Sequence, residues 1–402
     1  MYETWKQDGI LNAMKIFKKQ YGKMYTLWFG PLPTIHITDY ELAKDQMVKH
    51  GTDYTLRFVP EIQEVPRKGR GIILNDGTVW QEHRKFALQT LRNFGLGKNI
   101  MEEKIMSEFN ERIGIFKKKS EGGNCILDPS IFFDVLVGNI INQLLFGERF
   151  SENNAEFWHL KKLLDDAGQF TFLDTAIPYW LMTTPLLKWR TDQLQEPEFQ
   201  FLECMRVKIN KRSEEIKRGN RVVSEDATDY TDALENLAVD LEDLWSAGQE
   251  TTSLTLTWGI LLLLNRPEYI EKIYNELSSV TKGERQLSQT DKPNTPIFNA
   301  TVNEVQRIAS ILNFNVFRKT EKEQVIGEYR VPAGTAITAE ISVIMADDEN
   351  FPEFDKFDPS CFLNDEKKVA NVVPFGMGKR ACLGESLARA ELYLVFFLGN
   401  YT

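Results

Sequence analysis

A single cysteine, Cys382, lies among three glycines and two cations in the segment PFGMGKRACLG at 374–384. A thiol binds a metal ion only as the thiolate, and both a helix N-terminus and neighbouring cations lower the pKa of a thiol. A helical run follows the segment directly, and Lys379 and Arg380 precede the cysteine. The three glycines permit backbone turns that would let a flat group approach the loop closely. We therefore expect Cys382 to be a metal ligand and Arg380 to bind a carboxylate in a bidentate pair.

A haem group would satisfy both expectations, since its iron accepts a thiolate and its propionates accept arginine. Two alternatives are open for this segment by itself. A lone cysteine is often only a small buried hydrophobic residue. The GMGK sequence could also form a phosphate loop, but a Walker loop requires Gly-Lys-Ser/Thr and a dinucleotide fingerprint requires Gly-x-Gly-x-x-Gly. Neither pattern is present, so the segment favours a metal or haem thiolate.

A second candidate site lies in LWSAGQETTSLTLTW at 244–258, within a long helical pattern. A glycine at the interior position Gly248 costs about 1 kcal/mol relative to alanine. We expect Thr251 to donate a hydrogen bond to the carbonyl of Ala247, which bends and opens a helix. Glu250 and Thr251 would then lie beside a small groove, an arrangement suited to delivering protons to a small ligand. The alternative is an ordinary core helix that tolerates the glycine.

Two further spacings carry little information alone. Trp80 and Arg84 share a helix face, which fits either a second donor pair for an anionic group or a surface cation–π contact. Glu304 and Arg307 are three residues apart, as in a surface ion pair that contributes a few tenths of a kcal/mol. The same spacing recurs at Glu64/Arg67, Glu203/Arg206 and Glu215/Arg218.

The composition of the 402-residue chain limits its class and its partners. A net charge of −10 argues against a nucleic-acid partner, because phosphate neutralisation needs basic clusters. An aromatic content of 11% argues against disorder. The cysteines and histidines show no zinc spacing. The longest apolar run, at 258–264, is far shorter than a membrane span of roughly 20 residues, and no leader peptide is evident. We therefore expect a soluble or at most peripheral protein.

Hydrophobic periodicity predicts a mainly α protein with a small β-sheet. A hairpin is expected over 25–38, then a helix that a capping box at Thr38–Glu41 begins and Gly51 ends. Residues 322–344 return to strand alternation, and a last helix should begin near Gly384. Further helices are predicted over 78–92, 100–119, 129–145, 153–167, 198–218, 231–264 and 267–281. Since both ends of the chain would contribute strands to the sheet, we expect one large domain covering 1–402.

The order of these motifs closely resembles that of a cytochrome P-450. Along the chain they run Trp-x-x-x-Arg, Ala-Gly-x-Glu-Thr-Thr, Glu-x-x-Arg and Phe-x-x-Gly-x-Arg-x-Cys-x-Gly. The last motif matches at every fixed position: Phe375, Gly378, Arg380, Cys382 and Gly384. The resemblance extends from about residue 20 to the end of the chain. The stretches TLRNFGLGKNIMEEKI, NATVNEVQRIASILN and GKRACLGESLARAELYL are most similar to nematode members of the microsomal drug- and lipid-oxidising branch.

The resemblance implies haem b, an iron protoporphyrin IX with an axial thiolate, and a role for each matching residue. Cys382 would be the proximal ligand, with Phe375 packed beside the loop. Glu250 and Thr251 would supply protons during oxygen activation. Glu304 and Arg307 would brace the haem loop. The cofactor contacts would come from Trp80, Arg84, Arg318, Gly378 and Arg380. Substrate would contact 57–73, part of 168–180, Leu244, Ala247 and 310–316.

The chain departs from the family pattern at several positions. Cys361, in DPSCF, lies where members usually carry an arginine that completes a Glu-Arg-Arg cluster. Phe317 replaces a familiar histidine before Arg318, and MADDENF replaces a segment that often carries His-x-Asp. The chain begins about where the anchor and hinge of microsomal members would have ended, and it ends 20 residues after Cys382. We therefore expect a truncated protein that lacks the membrane anchor and the C-terminal hairpin.

We expect a haem-thiolate monooxygenase that inserts one oxygen atom of O2 into a lipophilic substrate such as a xenobiotic, a fatty acid or a steroid-like molecule. Electrons would come from NADPH through a flavoprotein reductase, with cytochrome b5 as a further partner. A basic face with Arg84, Lys85, Lys98 and Lys379 would receive the reductase, although an ordinary solvated surface explains these side chains at least as well. The family belongs to the endoplasmic reticulum membrane, but a chain without an anchor is expected to be cytoplasmic or peripheral. The alternatives are a haem-binding relic impaired in catalysis and a nucleotide-binding α/β protein that uses GMGK.

Overall fold

The computed structural model describes residues 9–93, 99–120, 126–171, 174, 177–218, 233–363 and 365–396. This part of the chain is mainly α-helical with a small β-sheet component, which confirms the predicted fold class. The helices are α1 (Ile10–Tyr21), α2 (Tyr40–Lys44), α3 (Glu61–Arg67), α4 (Gly77–Asn93), α5 (Asn99–Ser120), α6 (Pro129–Phe146), α7 (Ala155–Ala167), α8 (Tyr179–Met182), α9 (Lys188–Lys217), α10 (Ala233–Leu264), α11 (Pro267–Thr281), α12 (Pro296–Ala309), α13 (Ile341–Met345), α14 (Glu366–Ala370) and α15 (Glu385–Val395).

The main sheet joins strands from both ends of the chain. The strands are β1 (Met24–Phe29), β2 (Leu32–Ile37), β3 (Leu56–Arg57), β4 (Arg318–Lys319), β5 (Gln324–Ile326), β6 (Tyr329–Val331) and β7 (Ala336–Ala339). The main sheet has the order β1-β2-β7-β4-β3, with β2 and β7 parallel and the other pairs antiparallel, while β5 and β6 form a separate hairpin. The predicted sheet of early and late segments is therefore present. That the whole chain forms one domain stays a prediction.

Close packing of two apolar helices, α6 and α10, organises the core. A Cβ at Gly138 of α6 would lie 2.6 Å from the side-chain oxygen of Gln249, and one at Gly248 of α10 would lie 2.9 Å from Ile141. Both glycines are thus needed for the two backbones to approach each other. Helix α6 is also the one described helix long and apolar enough to cross a membrane, but 67% of it is buried inside the protein. A buried core helix passes the same test, so this finding is weak evidence for a membrane span.

Several element boundaries differ from the sequence predictions. Helix α2 is capped by the Asp39 side chain, which accepts the Leu42 N–H at 2.8 Å, and not by a box at Thr38. The helix continues into a π turn over Asp45–Lys49 instead of reaching Gly51 as one α-helix. Helix α9 begins ten residues earlier than predicted and contains Pro197. Helices α1, α3, α8, α12 and α14 were not predicted, and Ile341–Met345 is helical where a strand was expected. The other predicted helices agree within two residues at each end.

Candidate functional site

The loop that carries Cys382 is closed by its own backbone. The Cys382 N–H donates to the Phe375 carbonyl at 2.9 Å. Gly376 and Gly378 have φ angles of 69° and 75°, which side chains other than glycine rarely adopt. A Cβ at Gly378 would lie 1.7 Å from the carbonyl oxygen of Met47. The close approach of the Met47 backbone therefore requires glycine at this position. The contact of Gly378 with haem stays a prediction.

The Cys382 thiol lies at the start of α15, as the sequence predicted. The residue is exposed, yet the surrounding protein desolvates the thiol and raises its pKa above the usual value. Backbone N–H groups of Gly384 and Glu385 and the charge of Arg84 act in the opposite direction. The helix N-terminus thus acts as expected, and Arg84 supplies a cationic contribution. The predicted net decrease of its pKa is therefore wrong, because burial outweighs the N-terminal hydrogen bonds.

Four arginines converge beside this loop. Arg84 donates to the Ala381 carbonyl at 2.6 Å, and Arg318 donates to the Met377 carbonyl at 2.7 Å. Arg57, which the sequence analysis placed only within a substrate-contacting segment, lies opposite Arg318 in the β3–β4 ladder. Burial lowers the pKa of Arg318 to about 10, and repulsion from Arg84 adds to the decrease. The cluster therefore concentrates positive charge in a desolvated site.

The fourth arginine, Arg380, is mainly bound to backbone carbonyls. It donates to Thr55 at 2.8 Å and to Asn75 at 2.7 Å, and its guanidinium lies 3.6 Å from the ring centroid of Trp80. Burial lowers the pKa of Arg380 to about 9, although Asp76 opposes the decrease and the neighbouring arginines reinforce it. Most of its donors already have acceptors, so a bidentate carboxylate pair at Arg380 stays a prediction.

The polar segment of α10 contains the back-bond that the sequence predicted, and the groove beside it stays a prediction. The Thr251 hydroxyl donates to the Ala247 carbonyl at 2.7 Å, and the Thr255 hydroxyl donates to the Thr251 carbonyl at 2.7 Å. The neighbouring Glu250 is ion-paired with Lys161 of α7. Burial raises the pKa of Glu250, and the ammonium group of Lys161 opposes that shift. An alcohol and a partly buried acid therefore lie side by side on one helix.

Glu304 and Arg307 form a buried ion pair on α12. Nε and Nη2 of Arg307 donate to the two Glu304 carboxylate oxygens at 2.6 and 2.8 Å. The Asp358 N–H donates to Glu304 at 2.8 Å, and Arg307 donates to the Phe354 carbonyl at 2.7 Å. Burial raises the pKa of the nearby Cys361 thiol, where an arginine was expected, to about 12. Backbone groups of the segment just before Cys361 therefore bind the Glu304–Arg307 pair, where a second arginine was expected.

The other Glu-x-x-Arg spacings have different partners. Glu203 and Arg206 form an ion pair of 3.2 Å on the surface. Arg218 pairs with Glu214 instead of Glu215. Arg67 is buried and pairs with three carboxylates, those of Glu198, Glu242 and Asp243. Only the spacing on α12 thus gives an isolated buried pair.

Comparison with known proteins decides what this arrangement is. A family model described as cytochrome P-450 matches residues 1–398. The chain belongs to the cytochrome P-450 family. A probable cytochrome P-450, cyp-35D1, of Caenorhabditis elegans is 36% identical over 98% of this chain and 83% of the relative. Cytochrome P-450 2C23 of Rattus norvegicus is 33% identical over 94% of this chain and 79% of the relative. Cytochrome P-450 2J1 of Oryctolagus cuniculus is 33% identical over 94% and 78%.

Members of the cytochrome P-450 family are haem-thiolate monooxygenases that bind haem b through a cysteine thiolate. The side chains beside Cys382 fit such a group. Nε and Nη1 of Arg318 and Nε1 of Trp80 are buried without a hydrogen-bond partner among the described residues. Buried donors are nearly always paired, and two propionates would supply acceptors and negative charge to the arginine cluster. Arg318 and Trp80 therefore fit the predicted propionate contacts better than Arg380 does.

Two of the predicted substrate-contacting residues line the same cavity, and the contact of the predicted segments with substrate stays a prediction. A cavity of about 770 Å³ is lined by Ile72, from the first predicted segment, and by Leu244 of α10. It is not lined by Ala247 or by any described residue of 168–180 or 310–316. Phe317, which replaces a histidine, packs against the His36 ring with a centroid distance of 5.6 Å. Residues 172, 173, 175 and 176 of the second segment lie outside the described residues.

Proposed function

We propose that this cytochrome P-450 oxidises lipophilic substrates, such as xenobiotics, fatty acids or steroid-like molecules, with electrons from NADPH delivered by a flavoprotein reductase. In this proposal Cys382 is the axial ligand, and Trp80, Arg84 and Arg318 hold the propionates. Phe375, Gly378 and Arg380 shape the loop around the ligand. The observation that carries the assignment is an exposed thiol beside an arginine cluster in which Arg318 is buried with two donors that have no partner among the described residues.

Haem bound at this cluster would supply the redox chemistry of oxygen activation. We assign proton handling to Glu250 and Thr251 on α10. Lys161 lies between Glu250 and Asp165, 3.1 Å from the latter carboxylate, whose side chain is 60% exposed. Glu250 is therefore connected to solvent through an ion pair and can take up a proton there, and the Thr251 hydroxyl can donate a hydrogen bond to a bound ligand when its bond to the Ala247 carbonyl opens. We assign Glu304 and Arg307 to bracing the segment that precedes the Cys382 loop.

The reductase proposal is supported by the exposure of basic residues near the loop. Lys85 and Lys379 are exposed, and Arg84 reaches the Ala381 carbonyl from α4. Lys98 lies outside the described residues. Charged rims of this kind mainly increase association rates, so neutralising Lys85 and Lys379 should slow electron transfer without changing the haem spectrum. Cytochrome b5 would use the same basic face.

A peripheral contact with a membrane is supported by large apolar side chains around α8. Trp180, Leu186 and Trp189 are 70%, 77% and 64% exposed. Lys188 lies among them with its side chain 63% exposed. Exposed tryptophans beside a lysine are typical of a surface that lies in the lipid headgroup region. We therefore place the protein at the cytoplasmic face of the endoplasmic reticulum membrane, where microsomal substrates partition.

The first test is the absorbance of the purified, dithionite-reduced protein under carbon monoxide. We expect the red-shifted Soret band of a thiolate-ligated haem, and we expect Cys382→Ser to lose it. A protein that binds no haem would overturn the proposal. Product formation with NADPH and reductase then separates a working monooxygenase from the haem-binding relic. The backbone bonds around Glu304 and Arg307 favour the working enzyme, because the loss of an arginine at Cys361 leaves neither partner unpaired.

A further inference from the structure

Arg67 lies at the end of α3, and its guanidinium group contacts three carboxylates from two other helices. It donates to Asp243 of α10 at 2.5 Å, and it pairs with Glu198 of α9 at 2.8 Å and with Glu242 of α10. The Asp243 side chain is 1% exposed. A single cation therefore ties three helices together in a desolvated site.

Asp243 also binds the backbone that follows α3. Its second carboxylate oxygen accepts the N–H groups of Ile72 at 2.6 Å and of Ile73 at 2.9 Å. A Cβ at Gly71 would lie 2.5 Å from the same oxygen, so the loop after α3 presses directly against α10. Both ends of this loop are therefore held by one carboxylate, with the Arg67 guanidinium group on one oxygen and the two N–H groups on the other.

The segment that Asp243 holds also forms part of the cavity wall. Ile72 lines the cavity of about 770 Å³ together with Leu244, which directly follows Asp243 in α10. On the other side of the segment, the Ile73 carbonyl accepts a hydrogen bond from Arg57 of the arginine cluster at 2.8 Å. The position of Ile72 relative to Leu244 therefore depends on the Asp243 carboxylate.

The orientation of that carboxylate depends in turn on Arg67. Burial disfavours the charged form of Arg67, but Asp243, Glu242 and Glu198 outweigh burial and raise its pKa above the usual value, so the guanidinium group keeps its charge. A buried carboxylate that loses its cation is costly. Without Arg67, the Asp243 carboxylate would turn away from the neighbouring acids or take up a proton. Either change weakens its hold on the two N–H groups, since a charged acceptor forms the stronger hydrogen bond.

We infer that Arg67 is a specificity-determining positioning residue, which fixes Ile72 in the cavity wall through the Asp243 carboxylate. Arg67 is not among the described residues that line the cavity, so it acts through Ile72 and not by contact with a ligand. The inference rests on the proposed function, in which this cavity receives substrate. The hold of Asp243 on the backbone can be measured without any substrate.

The first experiment measures hydrogen exchange of the Ile72 and Ile73 amides in the haem-bound protein, by mass spectrometry of the peptide that contains them. Arg67→Met should increase the exchange rate by roughly tenfold or more, because a backbone N–H whose acceptor is weakened opens more often. Arg67→Lys keeps the charge, but a single ammonium group cannot meet three carboxylates at once. Its exchange rate should therefore be intermediate. If Arg67→Met does not give a folded protein, Arg67→Lys decides the outcome.

The second experiment measures KM and kcat for O-dealkylation of 7-alkoxycoumarins, from methoxy to hexyloxy, with NADPH and reductase. In the wild type a fixed cavity wall should favour one chain length, seen as a minimum in KM. Arg67→Met should raise KM at that chain length by roughly tenfold, about the contribution of one buried aliphatic contact, and should flatten the dependence on chain length. The kcat value should change little, because the lost interaction positions the substrate and not the reacting groups.

Arg285→Met provides the matched control. Arg285 donates to both carboxylate oxygens of Asp291 at 2.7 and 2.8 Å, and neither residue is among the described residues that line the cavity. This variant should leave the exchange of Ile72 and Ile73 and the chain-length profile unchanged, even if it lowers thermal stability.

Equal exchange rates in the wild type and Arg67→Met would overturn the inference, as would an unchanged chain-length profile in Arg67→Met. Equal effects of Arg67→Met and Arg285→Met on both readouts would reduce Arg67 to a general stabiliser of the fold and would also overturn it. A protein without a thiolate-haem spectrum would overturn the proposed function instead and would leave the exchange result standing.

Discussion

Two of the buried arginine sites in this cytochrome P-450, those of Arg307 and Arg318, differ in how their charge is balanced. At Arg307 a carboxylate and a backbone carbonyl meet the guanidinium group at hydrogen-bond distance. At Arg318 two nitrogen atoms are buried without an acceptor, and nearby Arg84 repels its charge. A buried charge is tolerated when it is paired. The difference therefore supports the proposal that Arg307 belongs to the architecture and that Arg318 belongs to a site that receives an anionic group.

The largest expected effect is at the ligand itself. Cys382→Ser should abolish the thiolate-type Soret band and monooxygenase activity, since serine supplies no thiolate to iron. Circular dichroism should remain close to that of the wild type, because the residue is exposed. The matched control is Cys361→Ser, which should retain the thiolate spectrum. A thiolate-type spectrum in Cys382→Ser would assign the ligand to another cysteine.

The next largest effect, a loss of stability, is expected at the buried Glu304–Arg307 ion pair. Arg307→Met leaves Glu304, whose side chain is 1% exposed, without its cation. Removal of one partner of a buried ion pair costs about 3–5 kcal/mol of unfolding free energy, which chemical denaturation can measure. Arg206→Met, at the surface pair with the same spacing, should change stability by less than about 0.5 kcal/mol. Equal losses at both positions would contradict the assignment of Arg307 to the architecture.

At Arg318 a substitution should have opposite effects on the two forms of the protein. It should weaken haem binding but should not destabilise the apoprotein. Arg318→Gln keeps a donor for the Met377 carbonyl and removes a charge that Arg84 repels. Since hydrogen bonds to charged groups contribute about 1.5–3 kcal/mol, haem affinity should decrease by roughly 10–100-fold. The apoprotein should be equally or more stable. Haem transfer to an acceptor apoprotein and denaturation of the apo form measure the two effects; unchanged haem affinity would remove Arg318 from the site.

On α10 we expect the smallest effect on stability, together with a specific decrease in the product formed per NADPH consumed. Among the described residues the Thr251 hydroxyl donates within its own helix, so Thr251→Ala should change stability by less than about 1 kcal/mol. Product per NADPH should decrease several-fold, with the excess reducing equivalents appearing as peroxide or water. Thr251→Ser should restore the coupling. If Thr251→Ala remains fully coupled, proton delivery does not pass through this hydroxyl.

The motifs and the helical pattern could be predicted because they depend on local spacing. The back-bond from Thr251 to Ala247 follows from the four-residue period of a helix, and the structure has it at 2.7 Å. The thiol pKa could not be predicted in the same way. Its helix N-terminus is local, but the desolvation that outweighs it depends on how deeply the folded chain buries the thiol. The requirement for a glycine at Gly378 could not be predicted from the local sequence either. The atom that excludes a side chain there is the carbonyl oxygen of Met47, which is distant in the chain.

By itself the sequence determined the family, the ligand loop, the order of the motifs and the mainly α character, since these depend on residue types at short spacings. The tertiary structure decided which of four equal Glu-x-x-Arg spacings is a buried brace and which arginines lack acceptors. It also showed that backbone carbonyls meet Arg307 where Cys361 replaces an expected arginine. These outcomes depend on burial and on partners more than 40 residues away in the chain. Charge balance in a desolvated interior is a property of the assembled fold, and no local spacing encodes it.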